Sequence, residues 1–136
     1  MKSNQLKLLK QLKLAWNNLD TKHMELFLAE DVVYESQWVL TSIKGKSKVL
    51  EFLSGKFRTI QNMKNRFILT NAAIGYIPSM KMRPCILLSQ IYSDELTQVS
   101  VLIEVKNSLI SRIDLCFIPN PEEIFIGMHR VNKNNT

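Results

Sequence analysis

Through the N-terminal stretch, Leu8, Leu9, Leu12, Ala15, Trp16 and Leu19 recur at helical spacing, and Lys7, Lys10 and Lys13 fall on the other side. That pattern predicts an amphipathic first helix with one face for a core. Asp20 and Thr21 are good helix-capping types, and a short second helix through "KHMELFLAE" would bury Met24, Phe27 and Leu28. "VVYES", Val32 to Ser36, is β-branched and aromatic and reads as a strand. Beyond it Gly45 breaks the chain, Ser47 caps a third helix, and Val49, Leu50, Leu53 and Phe57 mark its buried side.

From residue 64 the period changes from helical to two. Four strands are expected, at about 65–77, 84–93, 97–106 and 109–118, with "IPSMKMRP", "SDE" and Asn107-Ser108 as the turns. Neither a repeat nor a linker interrupts them. Helices first and an antiparallel meander afterwards signal an α+β fold.

The last hairpin fixes which side chains face the helices. Val99, Val101, Ile103 and Val105 form one apolar face, and Ile113, Leu115 and Phe117 must join it if one core buries both. A plain two-residue turn at Asn107-Ser108 would set Ile103 against Arg112 and mix charge into that face. A one-residue shift, by a longer loop or a bulge, sets Ile103 against Ile113, Val101 against Leu115 and Glu104 against Arg112. Glu104, Arg112 and Asp114 then point to the outer face with Ser100, Leu102 and Cys116. Around "SDE", Tyr92 is set against Thr97, Gln90 against Val99 and Leu88 against Val101, so Ile86, Leu88, Gln90 and Tyr92 join the inner face.

Composition narrows the class without naming a chemistry. A chain of 136 residues, 46% hydrophobic, is expected to form one domain over 1–136, with its core at about 5–120 and a C-terminal tail from 121. No run of about 18 apolar residues is present, so no membrane span is expected. Lysines interrupt the N-terminal apolar stretch, no small-residue cleavage site follows it, and the chain reads as cytoplasmic. Cys85 and Cys116 then read as reduced thiols used as small hydrophobes. His23 and His129 have no paired ligand spacing, so neither metal nor cofactor is expected.

The net charge of +6 is the compositional oddity. Lys44, Lys46, Lys48, Lys56, Arg58, Lys64 and Arg66 stand against Glu51 alone. A nucleic-acid binder would use such a run on phosphates. Only Phe52 and Phe57 interleave with it, too few aromatics for a single-strand platform, so a solvated helix face is the reading adopted.

A long helix, a short helix, "LFLAEDVVYES", the Gly-Lys stretch opening a third helix in "IKGKSKVLEFL", and a meander closing on "SLISRIDLCFIP" resemble the nuclear-transport-factor-2-like superfamily. It includes ketosteroid isomerases and SnoaL-like polyketide cyclases. The resemblance covers about residues 5–120. It implies a cystatin-like cone, in which three N-terminal helices pack in a strongly curved antiparallel sheet and leave a pocket open at one end. It also implies a homodimer through the outer sheet face, here the face of Leu102, Glu104, Arg112 and Asp114. The general-base aspartate of the isomerases falls at Ser36, their helix-one tyrosine at or near Leu12, and their protonated aspartate at Val101. An unassisted serine is no base near neutral pH, and leucine and valine have no acidic or hydrogen-bonding proton, so the isomerase mechanism is not expected.

Trp16, Tyr34, Ser36, Trp38, Leu88, Gln90, Tyr92, Val101, Ile103 and Leu115 are expected to line the pocket. An apolar wall with a few polar groups suits a small apolar ligand. Glu35 alternates away from Tyr34 and Ser36 and would need a bulge to enter. Two alternatives stay open: a lyase, hydratase or isomerase with another proton-transfer residue, and an interaction module using the basic face. In the tail, Ile124 to Met128 is too apolar for water and is expected over the pocket mouth or the dimer seam, and "HRVNKNNT" is expected to be disordered.

Overall fold

A computed structural model describes residues 2–37, 40–63, 69–92, 94–116, 124–126 and 129–130. The architecture is α+β, a curved sheet packed on two α-helices. Helix α1 is Lys2–Asn18 and α2 is Lys46–Met63. The strands are β1 (Leu28–Ser36), β2 (Thr41–Lys44), β3 (Leu69–Ile77), β4 (Arg83–Tyr92), β5 (Glu95–Lys106), β6 (Leu109–Cys116), β7 (Phe125–Ile126) and β8 (His129–Arg130). They lie in the order β2-β1-β6-β5-β4-β3-β7-β8. All pairings are antiparallel except β1 with β6, which is parallel.

The expected second helix is absent. Between Asp20 and Leu28 the chain makes two 3₁₀ turns, Thr21–His23 and Glu25–Phe27, and Leu28 already opens β1. Too few residues remain there to repay helix nucleation, while strand pairing with β6 begins at Leu28 opposite Ile110. Asp20 does cap, accepting the Lys22 backbone N–H at 3.0 Å. Helix α1 stops in a Schellman arrangement: Asp20 N–H donates to the Ala15 carbonyl, Leu19 N–H to that of Trp16, and Leu19 takes a positive φ of 52°.

The sheet bends where its ladder slips. Both Asn107 and Ser108 have positive φ, 53° and 65°, as a two-residue primed hairpin requires. The register then shifts between Glu104 and Val105, with Glu104 opposite Arg112 and Val105 opposite Ile110. Turn and bulge together set Ile103 against Ile113 and Val101 against Leu115, and Ile110 and Ile113 both reach the interior. A second slip lies between Leu28 and Val33 of β1.

The β4–β5 hairpin is tighter than its sequence suggests. Leu88 faces Val99, Gln90 faces Thr97 and Tyr92 faces Glu95, two residues from the expected register. A shift of two preserves every facing, so the inner and outer sets are unchanged.

One core fills the concave side. Leu8, Leu9, Leu12, Ala15 and Trp16 of α1 and Val49, Leu53 and Phe57 of α2 meet Tyr34, Ile86, Leu88, Val101, Ile103, Ile113 and Leu115 of the sheet. Asn17 joins helix to sheet through the backbone: its side-chain amide donates to the Ala72 carbonyl at 2.9 Å and accepts the Ala72 N–H at 2.7 Å. This occupies the edge of β3 beyond Gly75 and Tyr76, the two residues that β7 pairs. Asn17→Ala is expected to cost about 1–2 kcal/mol, two hydrogen bonds at their usual net worth. A urea titration with an unchanged m-value checks it, and no shift in midpoint would mean that water serves Ala72 equally well.

A second, smaller cluster lies on the outer face, where Ile77, Cys85, Leu87 and Leu102 surround Ile124. Ile124 therefore packs on the convex side of its own sheet, and the next two residues continue the sheet beside β3, with Gly75 opposite Ile126 and Tyr76 opposite Phe125. The end expected to be disordered starts with β8 at His129 and Arg130, paired to β7. Residues 131–136, Met128 and Phe117 lie outside the described residues.

Candidate functional site

Most residues expected at the pocket are core. Trp16, Tyr34, Leu88, Val101, Ile103 and Leu115 are each 0 or 1% exposed and belong to the one concave cluster. Ser36 is buried at the end of β1, opposite Thr41 and Leu115. Tyr92 is 48% exposed at the hairpin tip, and Trp38 lies outside the described residues. Gln90, half-buried, borders an open groove.

That groove has a volume of about 980 Å³ and runs along α2. Helix α2 carries two adjacent stripes. Val49, Leu53, Phe57 and Ile60 are buried, and the neighbouring Lys48, Phe52, Gly55, Lys56 and Thr59 face the groove, which Ile60 also borders. Thr41 and Ile43 of the edge strand β2 form one wall and Gln90 of β4 reaches in from the far side. Gly45, at φ +99°, makes the bend between β2 and α2: it donates to the Val32 carbonyl at 2.8 Å and accepts the first helical bond from Val49 at 2.9 Å.

Gly55 has no comparable backbone reason. It sits mid-helix, where glycine costs about 1 kcal/mol relative to alanine. A Cβ built on it would meet nothing within 4 Å. Its carbonyl accepts the Thr59 hydroxyl at 3.0 Å, so that hydroxyl is already engaged. Phe52 backs the groove, its ring 5.4 Å from that of Tyr34.

Two buried hydroxyls near this region, those of Tyr34 and Thr70, have no partner among the described residues. Thr70 stands directly opposite Gln90 in the β3–β4 ladder. Burial pushes the Tyr34 phenol well above the usual tyrosine range, so it stays protonated. Lys56 is half-buried, and burial lowers its ammonium below the usual lysine range. Among the described residues that line the groove it is the ionisable group with a shifted proton affinity, on a helix face whose run of basic residues predicts solvation. The rest of the basic run is divided: Lys46 lies 3.9 Å from Glu30, Lys44 and Arg58 are exposed, and Lys64 and Arg66 lie outside the described residues.

The carboxylates are elsewhere. Glu35 points to the outer face, as alternation required, and pairs with Arg112. Arg112 also donates to both oxygens of Asp114, at 3.1 and 3.0 Å, while Glu104 beside it is exposed. Leu102, expected at a homodimer seam on this face, is buried in the same cluster as Ile124 of its own chain. Leu12 and Val101 are wholly buried aliphatics. Among the described residues no three His, Cys, Asp or Glu side chains group to hold a metal ion, and no helix is long and apolar enough to cross a membrane.

No family model matches the chain, and no curated protein matches it in sequence. Solved structures do. A nuclear-transport-factor-2-like protein of unknown function from Mesorhizobium loti superposes with a TM-score of 0.66, at 10% identity, over 85% of this chain and 91% of its own. An M. tuberculosis LEH-like epoxide hydrolase gives 0.55 at 17% identity, over 84% and 82%. A de novo designed protein with a curved β-sheet gives 0.59 at 15% identity, over 82% and 85%. Identities this low carry the fold and leave the chemistry to the site. On that footing the chain has the nuclear-transport-factor-2-like fold, the one its sequence resembles.

Proposed function

We propose that this protein binds a small, mostly apolar ligand in the groove between β2, α2 and the end of β4. The observation that carries the reading is Gly55. A helix-interior glycine with open space at its Cβ position, on the stripe that faces the groove, gives up helix stability to keep a floor clear. Ile43, Phe52 and Ile60 supply the apolar wall, and Gln90, Thr41 and the lysines supply a few polar groups, the usual composition of small-molecule sites. The volume is at the upper end of the range for drug-sized ligands.

Gly55→Phe tests this without threatening the fold. Phenylalanine is the better helix former by a few tenths of a kcal/mol, so thermal stability should hold or rise slightly. The ring would lie in the groove, and the affinity for a neutral apolar dye such as Nile red should fall by about tenfold or more. Equal dye affinity in Gly55→Phe and the natural protein would remove the groove as the binding site.

A further inference from the structure

We infer that the Tyr34 hydroxyl is the concealed hydrogen-bond donor of this groove, reached when the Phe52 ring turns aside, and that the ligand is an apolar molecule carrying a neutral oxygen acceptor. This rests on the apolar-ligand reading above and adds to it the polar contact that orients the ligand.

One layer of side chains separates the phenol from the groove. Tyr34 stands directly opposite Ile43 in the β1–β2 ladder, so the two side chains are close neighbours on one face of the sheet. Its ring lies 5.4 Å from that of Phe52, tilted by 49°. Ile43 and Phe52 both line the groove, and both pack against the buried cluster to which Tyr34 belongs. Tyr34 itself is wholly buried.

The hydroxyl is costly where it stands. Among the described residues it has no hydrogen-bond partner, so the water it gave up on folding is not replaced. Phenylalanine would fill the same volume without that cost. A lone water is a poor remedy, because it needs two or more polar partners and the cluster side chains around the phenol are apolar. An acceptor carried in by a ligand satisfies the hydroxyl and leaves no second group unpaired.

The surroundings set the kind of acceptor and the way in. Burial keeps the phenol protonated, so it donates. A carboxylate or phosphate would exchange its water for an apolar cluster and a single donor, whereas a carbonyl, ether or hydroxyl oxygen gives up far less. Phe52 is the movable part of the barrier: it is half-buried on the groove stripe of α2, while Ile43 is held in a strand. Gly55, three residues on and its neighbour on the helix surface, presents no side chain to hold the ring in place.

The test uses two probes of one shape, 2-acetylnaphthalene and 2-isopropylnaphthalene, in which a carbonyl oxygen stands in for a methyl group. Each is measured by equilibrium dialysis against the natural protein and Tyr34→Phe, and the ratio of the two affinities is compared between proteins, so that the probes' different hydrophobicities cancel. Tyr34→Phe should move that ratio about fivefold against the ketone, the scale of one hydrogen bond, while the hydrocarbon affinity stays within about twofold. Without probe the variant should be as stable as the natural protein or slightly more so; a clear loss of stability would show the hydroxyl already partnered and overturn the inference. In Phe52→Ala, Tyr34 should become reactive toward N-acetylimidazole, read by peptide mass, while half-buried Tyr76 reacts as before; a Tyr34 that stays unreactive would overturn the Phe52 entry. An affinity ratio unchanged in Tyr34→Phe would overturn the donor and leave the apolar groove standing. Failure of both probes to bind, or binding that Gly55→Phe leaves untouched, would overturn the groove reading itself, and this inference with it.

Discussion

Trp16→Ala is expected to lower the unfolding free energy by about 3–5 kcal/mol, the range for large aromatic truncations in a packed core. Trp16 is 1% exposed and meets Phe57 edge to face, ring centroids 5.6 Å apart at 72°. Leu12, Leu88 and Val101 belong to the same cluster, so the removed indole would leave a void that neither helix can close without losing other contacts. The value separates two readings of the concave face. A tryptophan on the wall of an open pocket loses contacts on one side only, and water or ligand fills the space behind it. Chemical unfolding of Trp16→Ala that cost less than about 1.5 kcal/mol would return Trp16 to a pocket wall. Buried on all sides, the indole is instead what joins α1 to α2 and holds the groove stripe of α2 in place.

Direction was legible in the sequence, and free space was not. Alternation along β5 and β6 assigned Val101, Ile103, Ile113 and Leu115 inward and Glu104, Arg112 and Asp114 outward, because a half-buried strand leaves no other choice. The conflict that a plain turn at Asn107-Ser108 would create was enough to demand a bulge, and the structure has turn and bulge together. Alternation cannot distinguish a wall from a filling. Whether an inward residue lines a cavity depends on how much volume the helices bring, and Leu8, Leu9, Leu12 and Trp16 bring enough to close the concave side at those positions. The short segments were also out of reach. The two residues of β7 are too few to carry a period and the four of β2 alternate only twice, so both are legible as strands only through their partners. Gly55 was the readable sign of the groove: a glycine mid-helix, with Phe52 one turn before it on the same face and Lys56 next to it in sequence.

Ile124→Asp is expected to uncover Cys85 rather than unfold the protein. Ile124 is wholly buried among Ile77, Cys85, Leu87 and Leu102, and a carboxylate there would find no partner in that apolar cluster. The penalty, on the order of 3 kcal/mol or more, far exceeds what one two-residue strand pairing contributes. Release of Ile124 from the outer face is therefore the cheaper response, and the concave core does not depend on it. Burial now pushes the Cys85 thiol up to about 12, so its reactive thiolate is scarce at pH 8. Once uncovered, the thiol returns toward its ordinary value, and labelling by iodoacetamide should accelerate by on the order of 100-fold. Half-buried Cys116 packs against the same cluster, so the two thiols are resolved by peptide mass and each is compared with its own rate in the natural protein. The same burial sets an alkaline limit on the natural protein. Between about pH 9 and 12 the unfolded chain gives up the Cys85 proton and the folded one keeps it, so stability falls as pH rises through that window. Ile124→Asp should flatten that fall, because folded and unfolded thiols then ionise alike. A variant that stays folded, labels Cys85 no faster and keeps the same alkaline slope would mean that the sheet itself, and not Ile124, shields the thiol.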